Sequence, residues 1–176
     1  MSNKNTIVLV LDSSAFIYNL KILQLDFTLY TISDINQELL SENAKLLFDI
    51  AIINKKLILR DPSQSSLNFI KQTSKKTGDY VNLSLIDLKI IALAWELKTK
   101  EKLEPVVFTE DYSIQNVLAK LNLKYSSFVE KGIKKQIHWI YYCPECGKYI
   151  KSPSKNLICQ KCGSKLKKRP KRIKKF

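Results

Sequence analysis

Apolar positions along the first 130 residues follow two rhythms. Thr6–Leu11 (TIVLVL) is an unbroken, largely β-branched run, which predicts a strand buried on both faces of a parallel sheet. Asp12-Ser13-Ser14 interrupts it, and a short helical stretch follows through Ala15, Phe16, Ile17 and Tyr18. Leu29–Ile32 predicts a second short strand. From Ser33 the spacing changes to threes and fours, through Ile35, Leu39, Ala44, Leu47, Phe48 and Ala51, which predicts helix with a break near Ser41. Lys56–Leu59 is again strand-like and ends at Asp61-Pro62. Ser63–Lys76 predicts a polar amphipathic helix carrying Leu67, Phe69 and Ile70 and stopped by Gly78. Ser84–Leu97 is apolar almost all round, the signature of a central, buried helix. Pro105–Phe108 (PVVF) predicts another buried strand, followed by a helix over Ser113–Leu121 and a short strand over Lys124–Ser127. Strands alternating with helices predict an α/β fold, a parallel sheet flanked by helices, over residues 1–130. Beyond it the pattern predicts a linker at Lys131–Lys135, then a small β module over 136–164 entered by a strand at Gln136–Tyr142. Residues 165–176 are expected to form a solvated basic tail.

Charge divides the chain at the same place. The formal net charge is +14, and residues 131–176 hold 15 of the 30 Lys and Arg but one of the 16 acids, Glu145. The whole excess lies in that segment, and the first 130 residues are neutral. Such segregation points to a polyanionic partner, nucleic acid or an acidic membrane surface, although a basic tail without a dedicated partner remains the alternative. The 45% hydrophobic content excludes a wholly disordered chain. No apolar run approaches the length of a bilayer span, and Met1–Thr6 is polar, so a soluble cytoplasmic protein that makes no membrane contact is expected.

All four cysteines lie in the basic segment, as two C-x2-C pairs (Cys143, Cys146 and Cys159, Cys162) separated by 12 residues. Each pair is followed by glycine, Gly147 or Gly163, which frees the tight turn that aims backbone amides at the sulfurs. Two such knuckles supply four sulfurs in tetrahedral array and leave no open position, so one structural zinc is expected. A disulfide framework is the alternative, against which stands an intracellular chain with no cysteine elsewhere. His138, the only histidine, is superfluous to a full site and is expected as a strand residue or an RNA contact.

The neutral part has neither Cys nor His, so thiol and imidazole chemistry are excluded there, and Gly78 is its only glycine, so no Gly-rich phosphate loop exists. Its acids are more informative. Ligands of open parallel sheets bind at the carboxyl ends of strands. Asp12 follows the first strand, and Asp111, with Glu110, follows PVVF. Each also fits a helix cap. Asp87, in Ser84-x-x-Asp87, reads as a capping-box acid, yet it enters a buried helix in a domain whose only arginine is Arg60. Glu38 lies among Ile35, Leu39 and Leu40, where a plain surface acid is less expected. Asp79, after Gly78, reads as an exposed turn residue. Carboxylates gathered at one spot require a hard divalent cation, and oxygen-only ligands point to Mg²⁺ or Mn²⁺, which would activate water for attack on a phosphodiester.

VLDSSAFI with Asp12, INQEL with Glu38, SLIDLKIIALA with Asp87 and FTEDYSIQNVLAKL with Asp111 together resemble a PIN-domain nuclease. Thr77-Gly78-Asp79 ahead of Leu83-Ser84, Asp87 and Ala92-Leu93-Ala94, with the CPECG and CQKCG knuckles behind, is similar to the Nin-one-binding endonucleases, archaeal branch, over nearly the whole chain. The resemblance implies an endoribonuclease that forms the mature 3′ end of small-subunit rRNA on the pre-ribosomal particle, with a KH-domain assembly factor among its partners. It implies a catalytic set of Asp12, Glu38, Asp87 and Asp111 binding Mn²⁺ or Mg²⁺, with Asp79 an alternative to Glu38. The ribbon and tail would then grip phosphates through Lys148, Lys151, Lys155, Lys161, Lys165, Lys167, Lys168 and Arg169. Trp139, Tyr141, Tyr142 and Tyr149 would stack on unpaired bases or, equally, pack the ribbon and its junction. Rival readings are a non-catalytic rRNA-binding assembly factor, a toxin-like PIN ribonuclease acting on another RNA, and a transcription-type zinc-ribbon adaptor.

Overall fold

The N-terminal apolar run forms strand β1 (Ile7–Leu11), with Val8 to Leu11 all buried. The computed structural model describes residues 6–127, 135–150 and 153–175, with the backbone alone for 135–138 and 171–175. Beside β1 lie β2 (Thr28–Thr31), β3 (Leu57–Leu59), β4 (Glu104–Phe108) and β5 (Lys124–Ser126), in the order β3-β2-β1-β4-β5 and parallel throughout. The chain winds outward from β1 through β2 and β3, then returns to the other side for β4 and β5. That reversal opens a crevice at the carboxyl ends of β1 and β4, where parallel sheets take their ligands.

The connecting helices are α1 (Ser13–Ile17), α2 (Glu42–Ile53), α3 (Gln64–Thr77), α4 (Leu85–Thr99) and α5 (Tyr112–Lys120). Each begins at a residue whose side chain accepts a backbone N–H: Asp12, Ser41, Ser63, Ser84 and Asp111. The expected helix after Ser33 is a 3-10 helix over Ser33–Glu38, and α-helix starts only beyond Ser41. The tighter three-residue turn places Ile32 and Ile35 on one line, and both are fully buried. Helix α4 is the central one, burying Leu88, Ile90, Ile91, Leu93 and Leu97. Phe69 of α3 is 40% exposed, its ring stacked on that of Trp95 at 4.8 Å.

One buried acid on α4 belongs to the scaffold. The Glu96 carboxylate accepts hydrogen bonds from the Ser63 amide (3.0 Å), the Ser63 hydroxyl (2.7 Å) and the Ser66 hydroxyl (2.7 Å), and Lys100 lies 3.3 Å away. Arg60 reaches it at 3.9 Å and also pairs with Glu101. This set fastens the start of α3 to α4.

The second sheet comprises β6 (Lys135–Tyr142), β7 (Tyr149–Ile150) and β8 (Lys167–Lys175), antiparallel in the order β7-β6-β8. The expected solvated tail is therefore largely strand: β8 pairs along the whole of β6, from Lys135↔Lys175 to Tyr142↔Lys167. Backbone pairing does not require apolar side chains, and lysine is a usual occupant of an edge strand because it deters further pairing. The small sheet thus runs well past residue 164. Of the expected linker, 131–134 lie outside the described residues and Lys135 opens β6; His138 is a strand residue opposite Arg172. Among the described residues no helix is long and apolar enough to cross a membrane.

The Glu96 network sets a pH dependence. Burial alone would raise this carboxyl's pKa, but the Ser63 and Ser66 donors and Lys100 prevail and hold it at about 2. A carboxyl depressed in the folded state contributes stability above its unfolded pKa and loses it as pH falls through the folded value. Glu96→Gln is expected to cost about 2 kcal/mol at pH 7. In chemical denaturation measured against pH, the gap from the parent should close between about pH 4.5 and 2.

Candidate active site and metal centre

Asp12 directly follows β1, and its amide donates to the Phe108 carbonyl at 3.1 Å, so the end of β1 is locked to the end of β4. The carboxylate is 5% exposed. One oxygen accepts from the Ser13 amide (2.8 Å), the other from the Thr109 hydroxyl (2.8 Å) and the Ser14 hydroxyl (3.4 Å). Burial foremost pushes its pKa up to about 6; the Thr109 and Ser13 hydrogen bonds offset part of this, and the charges of Asp87 and Glu38 add to it. Thr109 also accepts from the Asp111 amide at 3.1 Å, so one hydroxyl ties both acids to the sheet edge. Asp111 caps α5, one carboxylate oxygen accepting from the Ser113 amide at 2.6 Å.

Asp87 forms a full capping box: it accepts from the Ser84 amide at 2.6 Å, and its own amide donates to the Ser84 hydroxyl at 3.0 Å. The capping box expected from the sequence is therefore present. Its pKa is nevertheless raised, chiefly by burial and further by Asp111, against the Ser84 bonds and the charge of Lys155. Glu38 closes the 3-10 helix, and an ion pair between Lys89 and Asp34 fastens that helix to α4. Burial raises Glu38 too, with Ser13 lowering it and Asp87 and Asp111 adding repulsion. Four acids from four separate segments thus act on one another electrically. Among the described residues, none of the four forms an ion pair with a base.

Asp79 contradicts the expectation of an exposed turn residue: it is 1% exposed and accepts from the Asn116 side-chain amide at 2.6 Å. Burial raises its pKa to about 6, against hydrogen bonds from Thr77 and Asn116 and the charge of Lys168, and the charge of Asp111 adds to the rise. What covers it is the small sheet. Gly78 ends α3 in the left-handed region (φ +85), and a Cβ there would lie 2.7 Å from the Trp139 carbonyl oxygen. The Tyr141 hydroxyl donates to the Gly78 carbonyl at 3.3 Å.

The four cysteine sulfurs lie within 4.8 Å of one another, with Cys143–Cys162 at 3.3 Å and Cys146–Cys159 at 3.7 Å. These are far from bonded disulfide distances. They suit a tetrahedron of sulfurs on zinc, whose edge is about 3.8 Å for bonds of about 2.3 Å. Gly147 (φ +68) and Gly163 (φ +75) sit in left-handed turns and donate back to the Cys143 and Cys159 carbonyls. The cluster is that of a structural zinc site.

A profile for the PIN domain of ribonuclease matches residues 9–97, half of the chain. The chain is 38% identical over 164 residues to endoribonuclease Nob1 of Pyrococcus abyssi, covering 93% of this chain and 94% of that one. The chain belongs to the Nob1 family of endoribonucleases. Nob1 of Archaeoglobus fulgidus is 32% identical, over 88% of this chain and 86% of the relative. Ribonuclease VapC1 of Thermoplasma acidophilum is 35% identical, over 91% and 77%.

In this Nob1-family chain the expected RNA-contacting residues divide. Lys148, Lys161, Lys165, Lys167, Lys168 and Arg169 are exposed, whereas Lys151 lies outside the described residues. The Arg169 guanidinium sits 4.9 Å from the Tyr149 ring and 5.7 Å from that of Tyr142. Tyr141 is 1% exposed and cannot stack on a base; it belongs to the junction. Trp139 is half-buried there, with Lys168 over its ring at 4.7 Å. Sequence reasoning missed Thr109 and Asn116, which orient acids, although both lie inside the quoted FTEDYSIQNVLAKL motif. One zinc per chain is expected on metal analysis of purified protein. Cys159→Ser or strong chelation should release it and lower the thermal midpoint, followed by tyrosine and tryptophan fluorescence of the junction.

Proposed function

We propose that this chain cuts precursor small-subunit rRNA to form its mature 3′ end, as a metal-dependent endoribonuclease acting on the pre-ribosomal particle. The observation that carries the reading is the acid set at the switch point of the sheet: Asp12, Glu38, Asp87 and Asp111, mutually repelling, partly or wholly buried, and without a basic ion-pair partner among the described residues. Carboxylate oxygens are the donors that Mg²⁺ or Mn²⁺ takes, and these four residues would hold the cation. Family membership and the names of the relatives support the reaction class.

When bound, the cation supplies Lewis-acid stabilisation of charge on the phosphate and makes water a better nucleophile at neutral pH. The chain's residues do the positioning. Asp12 is held on both oxygens, by the Ser13 amide and the Thr109 hydroxyl. Asp87 and Asp111 are each held on one oxygen by a helix-capping amide. The cation would be ligated through the remaining carboxylate valences of this set. Thr109 sets the spacing of Asp12 and Asp111, because it donates to one and accepts from the other's amide. Asp79 stays outside the metal set, committed to Asn116 and the junction. The basic ribbon holds the RNA backbone, with Arg169, Tyr142 and Tyr149 on its exposed side available for stacking.

The test is cleavage of a precursor RNA containing the mature 3′ junction, in Mn²⁺. Asp12→Asn and Asp111→Asn are each expected to lower the rate by at least about a hundredfold. Activity surviving in both variants overturns the assignment and favours a non-catalytic assembly factor. Thr109→Val, which spares every carboxylate, should lose roughly ten- to a hundredfold in rate and require more Mn²⁺ for half-maximal activity.

A further inference from the structure

Lys155 belongs to the ribbon by sequence but to the nuclease domain by contact. Its ammonium donates to the Leu83 carbonyl at 3.0 Å and lies 5.2 Å from the centroid of the Tyr80 ring. Lys75, in the last turn of α3, brings its own ammonium to 5.0 Å from the same centroid. Two cations, one from each module, therefore converge on one half-buried aromatic ring and stand within about 10 Å of each other. Neither forms an ion pair with a carboxylate among the described residues. Two exposed like charges held this close repel, and a polyanion laid across them relieves the repulsion.

The place matters as much as the charge. Leu83, which fixes Lys155, immediately precedes Ser84, the residue whose amide holds the Asp87 carboxylate at 2.6 Å. The segment that holds Lys155 is thus the one that opens α4 toward Asp87, and Lys75 shares the Tyr80 ring with Lys155. Helix α3 ends at Gly78, where the chain meets Trp139, so the same junction that seats the ribbon brings the pair of lysines together.

We propose that Lys75, Tyr80 and Lys155 form a composite RNA-backbone site at the mouth of the cleft. The two ammonium groups bind phosphates beside the scissile one, and the Tyr80 ring they share holds them in place. These are positioning residues: they hold the strand that enters the cleft and do not touch the reacting phosphorus. The site deepens the endoribonuclease reading and rests on it. It also accounts for a lysine that the charge pattern alone would assign to the general grip of the ribbon.

Steady-state cleavage in Mn²⁺ is compared among the parent, Lys75→Ala, Lys155→Ala, the double variant and the two Lys→Arg variants. Each alanine should lower kcat/KM about tenfold. Each should also make the plot of log kcat/KM against log salt shallower by about 0.7, the increment for one phosphate of a single strand. The arginine variants should recover most of both, and the change in salt slope is what loss of a structural contact to Leu83 or Tyr80 would not predict. A double variant with the parent's rate and salt slope, or arginine variants as poor as alanine, overturns the proposal. Should the parent itself fail to cut, the endoribonuclease reading falls. The same salt slopes are then read from equilibrium binding of that RNA by fluorescence anisotropy: a loss of about 0.7 per lysine supports the site and an unchanged slope overturns it.

Discussion

The hydrogen bond from the Thr109 hydroxyl to the Asp12 carboxylate, 2.8 Å long and buried at both ends, spans the two strands at which the sheet divides. It is the constraint on which the cleft depends. A parallel sheet covered by helices leaves its chain ends with unpaired groups only at the strand termini, and here the termini of β1 and β4 satisfy each other through Asp12, Phe108 and Thr109. The carboxylate is thereby buried and oriented by neutral donors, with no basic ion-pair partner among the described residues. An amide and a hydroxyl can fix the position of a charge but cannot cancel it, so the repulsion from Asp87 and Glu38 persists. The fold keeps these acids within electrostatic reach of one another.

The same logic explains why the ribbon sits where it does. Gly78 leaves α3 with positive φ, a conformation that costs glycine little, and the absent side chain lets the Trp139 backbone approach closely. Tyr141 then closes over the turn and buries Asp79, whose second partner, Asn116, lies on α5. A single turn between two helices therefore touches both the cleft side of the nuclease domain and the ribbon. Its sequence, Thr77-Gly78-Asp79, reads locally as a helix stop and a solvent turn.

That misreading marks the boundary of what the chain discloses by itself. The core strands are legible because burial on both faces demands a continuous apolar run, as in TIVLVL and PVVF, and the helix starts because each carries its own cap. Asp12, Asp87 and Asp111 are visible as candidates for the same reason: each lies at the start of a helix, and the caps that explain them structurally also place them. Asp79 and Tyr141 are illegible because their burial comes from a contact some sixty residues away. Strand β8 is illegible because its lysines satisfy no apolar pattern; only the backbone of β6 makes it a strand. Glu96 hides for a different reason. Its partners, Ser63 and Ser66, look like ordinary capping residues, and only the packing of α3 on α4 turns their hydroxyls toward a buried carboxylate.

Charge segregation acquires a geometric meaning from these contacts. A net +14 confined to the C-terminal module would, on a flexible tether, raise the local concentration of RNA without directing it. Here the module is seated on the turn between α3 and α4, and β8 is tied along β6, so described basic residues such as Lys155 and Lys168 lie against the nuclease domain. Charges of opposite sign meet at this junction, where Lys155 acts on Asp87 and Lys168 on Asp79. A phosphate backbone drawn along the basic side meets carboxylates that repel it. On the proposed reading the divalent cation reverses that repulsion at the one place where the strand must stop, and the positive ribbon and negative cleft become successive parts of one binding path.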